Sequence, residues 1–223
     1  MSFVSRLQVD RNAATAFADW DGDGHVDLIV GQQIGPLRFF KNSMNLAFDE
    51  LTGISNPFSH ITHVLNATPA VVDWDGDADM DLLLGGSNGA VQLFIRSDGN
   101  VLAEPVPEGN PFSNVVVGFA SAPSVVDLDS DSDFDVVVGC GDGSLRLFDR
   151  LAGRLVERPM FYNWAQNMRA TKPPEHASPA FGDWDGDEDL DLIVGTYDQG
   201  LLFPGTSSQY RDITVRPPTH ADL

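Results

Sequence analysis

Four times along the chain an aspartate-rich loop runs directly into an apolar stretch closed by glycine: AFADWDGDGHVDLIVG, AVVDWDGDADMDLLLG, SVVDLDSDSDFDVVVG and AFGDWDGDEDLDLIVG. The first aspartates are Asp19, Asp73, Asp127 and Asp183, so successive copies are offset by 54, 54 and 56 residues (73−19, 127−73, 183−127). A period of this length constrains the architecture more than any single motif does. Each copy must be one supersecondary unit that buries its apolar face against the next copy.

The copies align beyond the loops. RNAATAF, NATPAVV, ASAPSVV and HASPAFG precede them, and after the closing glycine a turn leads into PLRFF, VQLFI, LRLFD and the weaker GLLF. A poorer segment ends each copy: AFDEL, VLAEP, RLVER and RDITV. Short runs separated by Gly, Asn, Asp and Pro, with no competing helical period, predict four strands per copy. The expected fold is all-β, a β-propeller built from four four-stranded blades. One domain then spans residues 1–223, with repeats at about 13–66, 67–120, 121–176 and 177–223, and residues 1–12 form a partial blade or a closing strand. Small residues in the first strand of each copy suit the crowded axis, and the poor fourth segments suit an outer edge blunted by charge and proline. Four repeats are compatible with a closed ring, with a dimer completing a larger ring, and with part of a longer propeller.

Within every loop, aspartates stand at positions 1, 3, 5 and 9: Asp19, Asp21, Asp23 and Asp27; Asp73, Asp75, Asp77 and Asp81; Asp127, Asp129, Asp131 and Asp135; Asp183, Asp185, Asp187 and Asp191. Alternate residues of a tight loop can aim carboxylates at one centre, and the position 7 carbonyls, of His25, Asp79, Asp133 and Asp189, can add another oxygen. Hard Ca²⁺ takes six to eight such donors, which predicts about four ions, one per repeat. An EF-hand would need a carboxylate at position 12, where this chain has Val30, Leu84, Val138 and Val194. An all-oxygen donor set disfavours zinc, and Mg²⁺ prefers to keep several waters. The 13 basic against 33 acidic residues leave a formal charge of −20, which four Ca²⁺ would bring to −12 (−20 + 4×2).

The same imbalance argues against nucleic acid, which needs clustered Lys and Arg. No apolar run approaches a membrane-spanning length, and MSFVSRLQVDRN lacks the apolar stretch of a secretory signal, as expected of a mature form or a fragment. With Cys140 as the only cysteine, no intramolecular disulfide forms, and its setting in VVVGCGDG predicts a small strand-end residue rather than a reactive thiol.

DWDGDGHVDLIVG and its siblings resemble the FG-GAP and VCBS repeats of integrin α-subunit propellers, bacterial surface proteins and some fungal lectins. The resemblance implies a propeller with Ca²⁺ in the connection between the first two strands of each blade. It also implies glycine at loop position 6, kept here only as Gly24, with Ala78, Ser132 and Glu188 elsewhere. Gly22, Gly76 and Gly186 at position 4 make that position the expected site of the stricter backbone demand.

Other features bear on partners. Trp20, Trp74, Leu128 and Trp184 at position 2 read as blade packing, with a ring of sugar-stacking platforms as the competing reading. Asn56 and Phe58, with Asn110 and Phe112, read as loop anchors. The irregular segment from Pro159 to His176, carrying Phe161, Tyr162, Trp164 and Arg169, is the expected partner surface. His25, His60, His63, His176 and His220 do not recur with the period and no nucleophile motif is present, so a hydrolase or lyase is the remote reading. The expected role is a non-catalytic adhesion or ligand-recognition module for protein or glycan, in an extracellular or luminal compartment. The alternative is a structural subunit of a larger assembly.

Overall fold

The computed structural model describes residues 9, 11–43, 48–97, 101–104, 109–128, 130–158, 175–183, 186, 190–197 and 200–202. The first repeat forms β1 (Ala14–Ala18), β2 (Asp27–Gly31), β3 (Arg38–Asn42) and β4 (Phe48–Leu51). The second forms β5 (Thr68–Val72), β6 (Asp81–Gly85), β7 (Val91–Ser97) and β8 (Val101–Ala103), and the third β9 (Ala122–Val126), β10 (Asp135–Gly139), β11 (Leu145–Leu151) and β12 (Arg154–Arg158). From the fourth come β13 (Ser178–Gly182), β14 (Asp191–Thr196) and β15 (Gly200–Leu202). Each repeat is one antiparallel meander with strands paired in chain order. These are the blades of a β-propeller. The fourth strand expected at RDITV lies outside the described residues, as do residues 1–8.

The second strand of each blade is buried along its whole length in the first three blades. Period-2 alternation explains how an unbroken apolar run is used. Leu82 and Leu84 join a core with Ile29, Phe39 and Phe58 of the preceding blade, whereas Leu83 joins a core with Val136 and Val138 of the following one. Val137 then faces Leu192 and Val194. The hydrophobic core is therefore a series of layers between blades, not one central mass.

The glycine closing each of these strands is dictated by space. A methyl at Gly31 would lie 1.9 Å from the Ala67 carbonyl oxygen, at Gly85 2.3 Å from that of Ser121, and at Gly139 2.1 Å from that of Ala177. In each case the backbone leading into the next blade's first strand presses on the glycine. This is the crowding that selects small residues near the axis: β1 packs on β5, β5 on β9 and β9 on β13. No comparable contact joins β13 back to β1, so the described residues form an open arc.

Outer strands are held by side-chain pairs. Arg38 donates to both carboxylate oxygens of Glu50 at 2.7 Å, and Arg146 does the same to Glu157 at 2.7 and 2.6 Å. In the second blade Gln92 donates to Glu104 at 2.7 Å. Bidentate geometry of this kind gives direction to otherwise weak surface pairs.

Candidate metal centre

Each loop begins as its first strand ends, and its position 1 aspartate shapes it. Asp19 accepts the N–H groups of Asp23 and Gly24 at 3.0 and 2.8 Å, Asp73 those of Gly76 and Ala78 at 2.8 and 3.0 Å, and Asp127 those of Asp131 and Ser132 at 3.2 and 3.1 Å. Asp183 likewise accepts from Gly186 at 2.7 Å. To bring these amides inward the backbone turns left-handed twice. Position 4 has φ of 72, 79, 60 and 78° at Gly22, Gly76, Ser130 and Gly186. Position 6 has 84, 72 and 74° at Gly24, Ala78 and Ser132. The expectation that position 4 makes the stricter demand is corrected: both positions are left-handed, and Ser130, Ala78 and Ser132 carry a strain of about 1 kcal/mol each that glycine would avoid.

Position 9 does double duty. Asp27, Asp81 and Asp135 are buried at the head of the second strand. Oδ2 of each accepts the backbone N–H of position 2 (Trp20 at 3.2 Å, Trp74 at 2.9 Å, Leu128 at 3.1 Å). Oδ1 accepts a backbone N–H from the third strand, of Asn42 at 2.8 Å, Arg96 at 2.8 Å and Arg150 at 3.0 Å. A carboxylate thus staples the loop to a strand two places across the sheet. The spacing alone did not reveal this role, because its donors are backbone groups carrying no sequence signal.

Positions 1, 3 and 9 converge: in Asp19, Asp21 and Asp27, and again in Asp73, Asp75 and Asp81, one oxygen per residue lies within 4.8 Å of the others. Asp23 and Asp77, at position 5, stand outside these triads. Asp23 accepts the N–H of His25 at 2.9 Å and Asp77 that of Asp79 at 2.8 Å. In the third loop Asp131 plays that part for Asp133 at 2.8 Å, while Asp129 lies outside the described residues. In the fourth, Asp183 and the buried Asp191 are described, and Trp184, Asp185, Asp187, Glu188 and Asp189 are not. Phe161, Tyr162, Trp164 and Arg169 also fall outside the described residues.

Electrostatics match such crowding. Burial pushes the Asp81 carboxyl up to about 6, with the Asp75 and Asp77 charges adding to the rise and two backbone bonds opposing it. Burial raises Asp27 likewise. In loop 1 the Lys41 ammonium bonds Asp21 and lies 3.1 Å from Asp23, so those carboxylates, Asp21 first, raise Lys41, and the Lys41 bond is the chief cause of the lowered Asp23. Hard oxygens converging on one point, and an ammonium drawn to them, fit a hard cation.

The described position 2 tryptophans, Trp20 and Trp74, resolve as packing. Trp20 and Trp74 are buried, their rings 4.7 and 4.9 Å from Phe58 and Phe112. Asn56 Nδ2 donates to the Leu37 carbonyl at 2.8 Å, and Asn56 and Asn110 each accept the N–H of their phenylalanine at 2.9 Å, so both segments are anchors. Cys140 is buried, and burial pushes its thiol up. Missed in the sequence were Arg96 and Arg150, which reach the preceding blade's tryptophans. Their own spacing of 54 residues was the available signal (150−96), broken by Asn42 in the first blade.

No curated protein matches the chain. The sequence profile of the FG-GAP-like repeat matches residues 19–84 and 127–194, each stretch running from a position 1 aspartate to the second strand of the next blade. These stretches cover 134 of the 223 residues (66 + 68), and with the blades and Asp loops just described they place the chain in the FG-GAP-like repeat family.

Proposed function

We propose that this chain is a calcium-binding propeller that serves as a non-catalytic recognition module for a protein or glycan, in an extracellular or luminal compartment. The observation that supports it most is the convergence of Asp19, Asp21 and Asp27, and of Asp73, Asp75 and Asp81, at the same place in successive blades. Asp oxygens from positions 1, 3, 5 and 9 and the position 7 carbonyl would hold one Ca²⁺ per loop, and the ion would relieve repulsion that at loop 1 is partly balanced by Lys41. Native mass spectrometry with calorimetric titration tests the metal: four Ca²⁺ are expected, removable by EGTA, and a protein that takes up none refutes the reading. Glycan-array and protein-capture binding, each with and without calcium, tests recognition.

A structural subunit of a larger assembly is the second reading, favoured by one apolar rim. Leu65, Phe119 and Tyr197 are 54, 50 and 81% exposed on the side opposite the Asp loops. They sit on a continuous series of backbone bonds joining neighbouring blades: Ser87 to Leu65 at 2.8 Å, Gly141 to Phe119 at 2.9 Å and Tyr197 to Glu175 at 2.9 Å. Leu65→Ser with Phe119→Ser should abolish stable co-purification with a protein partner under this reading and leave it intact under the other.

A further inference from the structure

Arg96 touches two Asp loops at once. Its backbone N–H donates to Asp81 at 2.8 Å and its Nη2 lies 3.4 Å from Asp79, both in loop 2. The same guanidinium donates through Nη1 to the Trp20 carbonyl in loop 1 and lies 5.3 Å from that ring's centre. Arg150 repeats the arrangement one blade on. Its N–H donates to Asp135 of loop 3 at 3.0 Å, its Nη1 to the Trp74 carbonyl of loop 2 at 3.0 Å, and its guanidinium lies 4.4 Å from the Trp74 ring centre. Each gripped carbonyl belongs to position 2, between the carboxylates of positions 1 and 3, so it fixes their relative aim.

A loop of repelling carboxylates has a splayed and a converged arrangement, and a cation selects the second. Filling a loop fixes its position 9 aspartate, which fixes the arginine backbone, which seats the guanidinium on the preceding loop. Charge-assisted bonding to a carbonyl is directional, and stacking on an indole reinforces it. The guanidinium charge opposes an incoming cation, and the largely buried Arg96 is screened only in part, but its contact with Asp79 offsets some of that repulsion while the positional restraint is unaffected. We propose that Arg96 and Arg150 are positioning residues that couple neighbouring loops, so that calcium at loop 2 favours calcium at loop 1 and calcium at loop 3 favours calcium at loop 2. Coupling of this kind is reciprocal. It rests on the calcium reading above.

Amide hydrogen exchange at graded, buffered free calcium gives each loop its own midpoint through Gly24, Ala78 and Ser132, whose N–H groups bond the position 1 aspartates. Weakening loop 2 with Asp75→Ala should raise the midpoints at both Gly24 and Ser132 by about fivefold, the low end for coupled sites. Adding Arg96→Met should abolish the Gly24 shift and leave the Ser132 shift, and Arg150→Met should do the reverse. Arg96→Lys, which keeps the charge and can reach one acceptor, should recover part of the Gly24 shift. Shifts absent from Asp75→Ala, or surviving both methionine variants, overturn the coupling. A parent protein without calcium-dependent protection overturns the calcium reading instead.

Discussion

Loops 1 and 2 share ligand positions, left-handed turns and the stapling aspartate, yet they handle excess charge differently. In loop 1 a lysine from the neighbouring third strand lies against Asp21 and Asp23. In loop 2 the register of Lys41 is taken by Ile95, no ammonium reaches Asp75 or Asp77 among the described contacts, and burial, with the Asp75 and Asp77 charges adding to it, pushes the Asp81 carboxyl up to about 6. One loop carries its own cation and the other holds a proton more tightly. On the calcium reading, the repeated carboxylates would set which ion is bound, while unrepeated neighbours would set how strongly each site competes for it.

The comparison breaks if calcium is irrelevant to both loops, so its removal is the largest test. At a hundredfold excess over Kd each filled site adds about 2.7 kcal/mol, and four add roughly 11 kcal/mol. That is comparable with the whole net stability of a domain, about 5 to 15 kcal/mol. Melting in EGTA should leave the chain unfolded or barely folded against millimolar calcium, and equal midpoints would mean that the loops are energetically idle.

Acid should separate the loops next. A folded pKa of about 6 for Asp81, above its unfolded value of 3.8, means that the proton favours the fold. This contribution is complete below the lower value and lost as pH rises through the higher one, so the calcium-free protein should be more stable at pH 5 than at pH 7. Calcium must displace that proton, and affinity at loop 2 should fall about tenfold from pH 7 to pH 5. Titrations at the two pH values, read at Ala78, check this, and a flat profile there would leave Asp81 out of the site.

Lys41→Met should sharpen the contrast from the other side. Removing the built-in cation should tighten calcium at loop 1 about two- to fivefold at low salt, with little change at loop 2. Weaker binding would show that Lys41 organises the loop instead of competing for it. The smallest effect is expected from Ala78→Gly, which relieves left-handed strain but adds chain entropy to the unfolded state. A net gain of about 0.5 kcal/mol in denaturant unfolding with calcium present is expected, and a loss would mean that position 6 is not strained.

How much of this was legible depended on whether a feature repeats locally. The aligned repeat segments located all fifteen described strands, because period and alternation are one-dimensional signals. The meaning of Gly31, Gly85 and Gly139 was not legible, since the carbonyls they approach belong to the following blade. Neither was the stapling by Asp27, Asp81 and Asp135, whose partners are backbone amides. The left-handed turn at Ala78 and Ser132 was indicated only by the resemblance, which implies glycine there, because residue preference at these two positions yields to the loop's own hydrogen bonds.

The alternating use of the second strand has a consequence for how such a chain can grow. Leu82 and Leu84 point back and Leu83 points forward, and the next blade presents Val136 and Val138 backward and Val137 forward. Each of these blades is thus a plug on one face and a socket on the other, with the same alternation at each joint and different side chains filling it. An in-frame duplication of one 54-residue unit creates a joint of the same alternating pattern as those already present, so length can change by whole units with little new interface having to evolve. The fold behaves as a tiling in which selection works on the rim and the loops while the joints stay interchangeable.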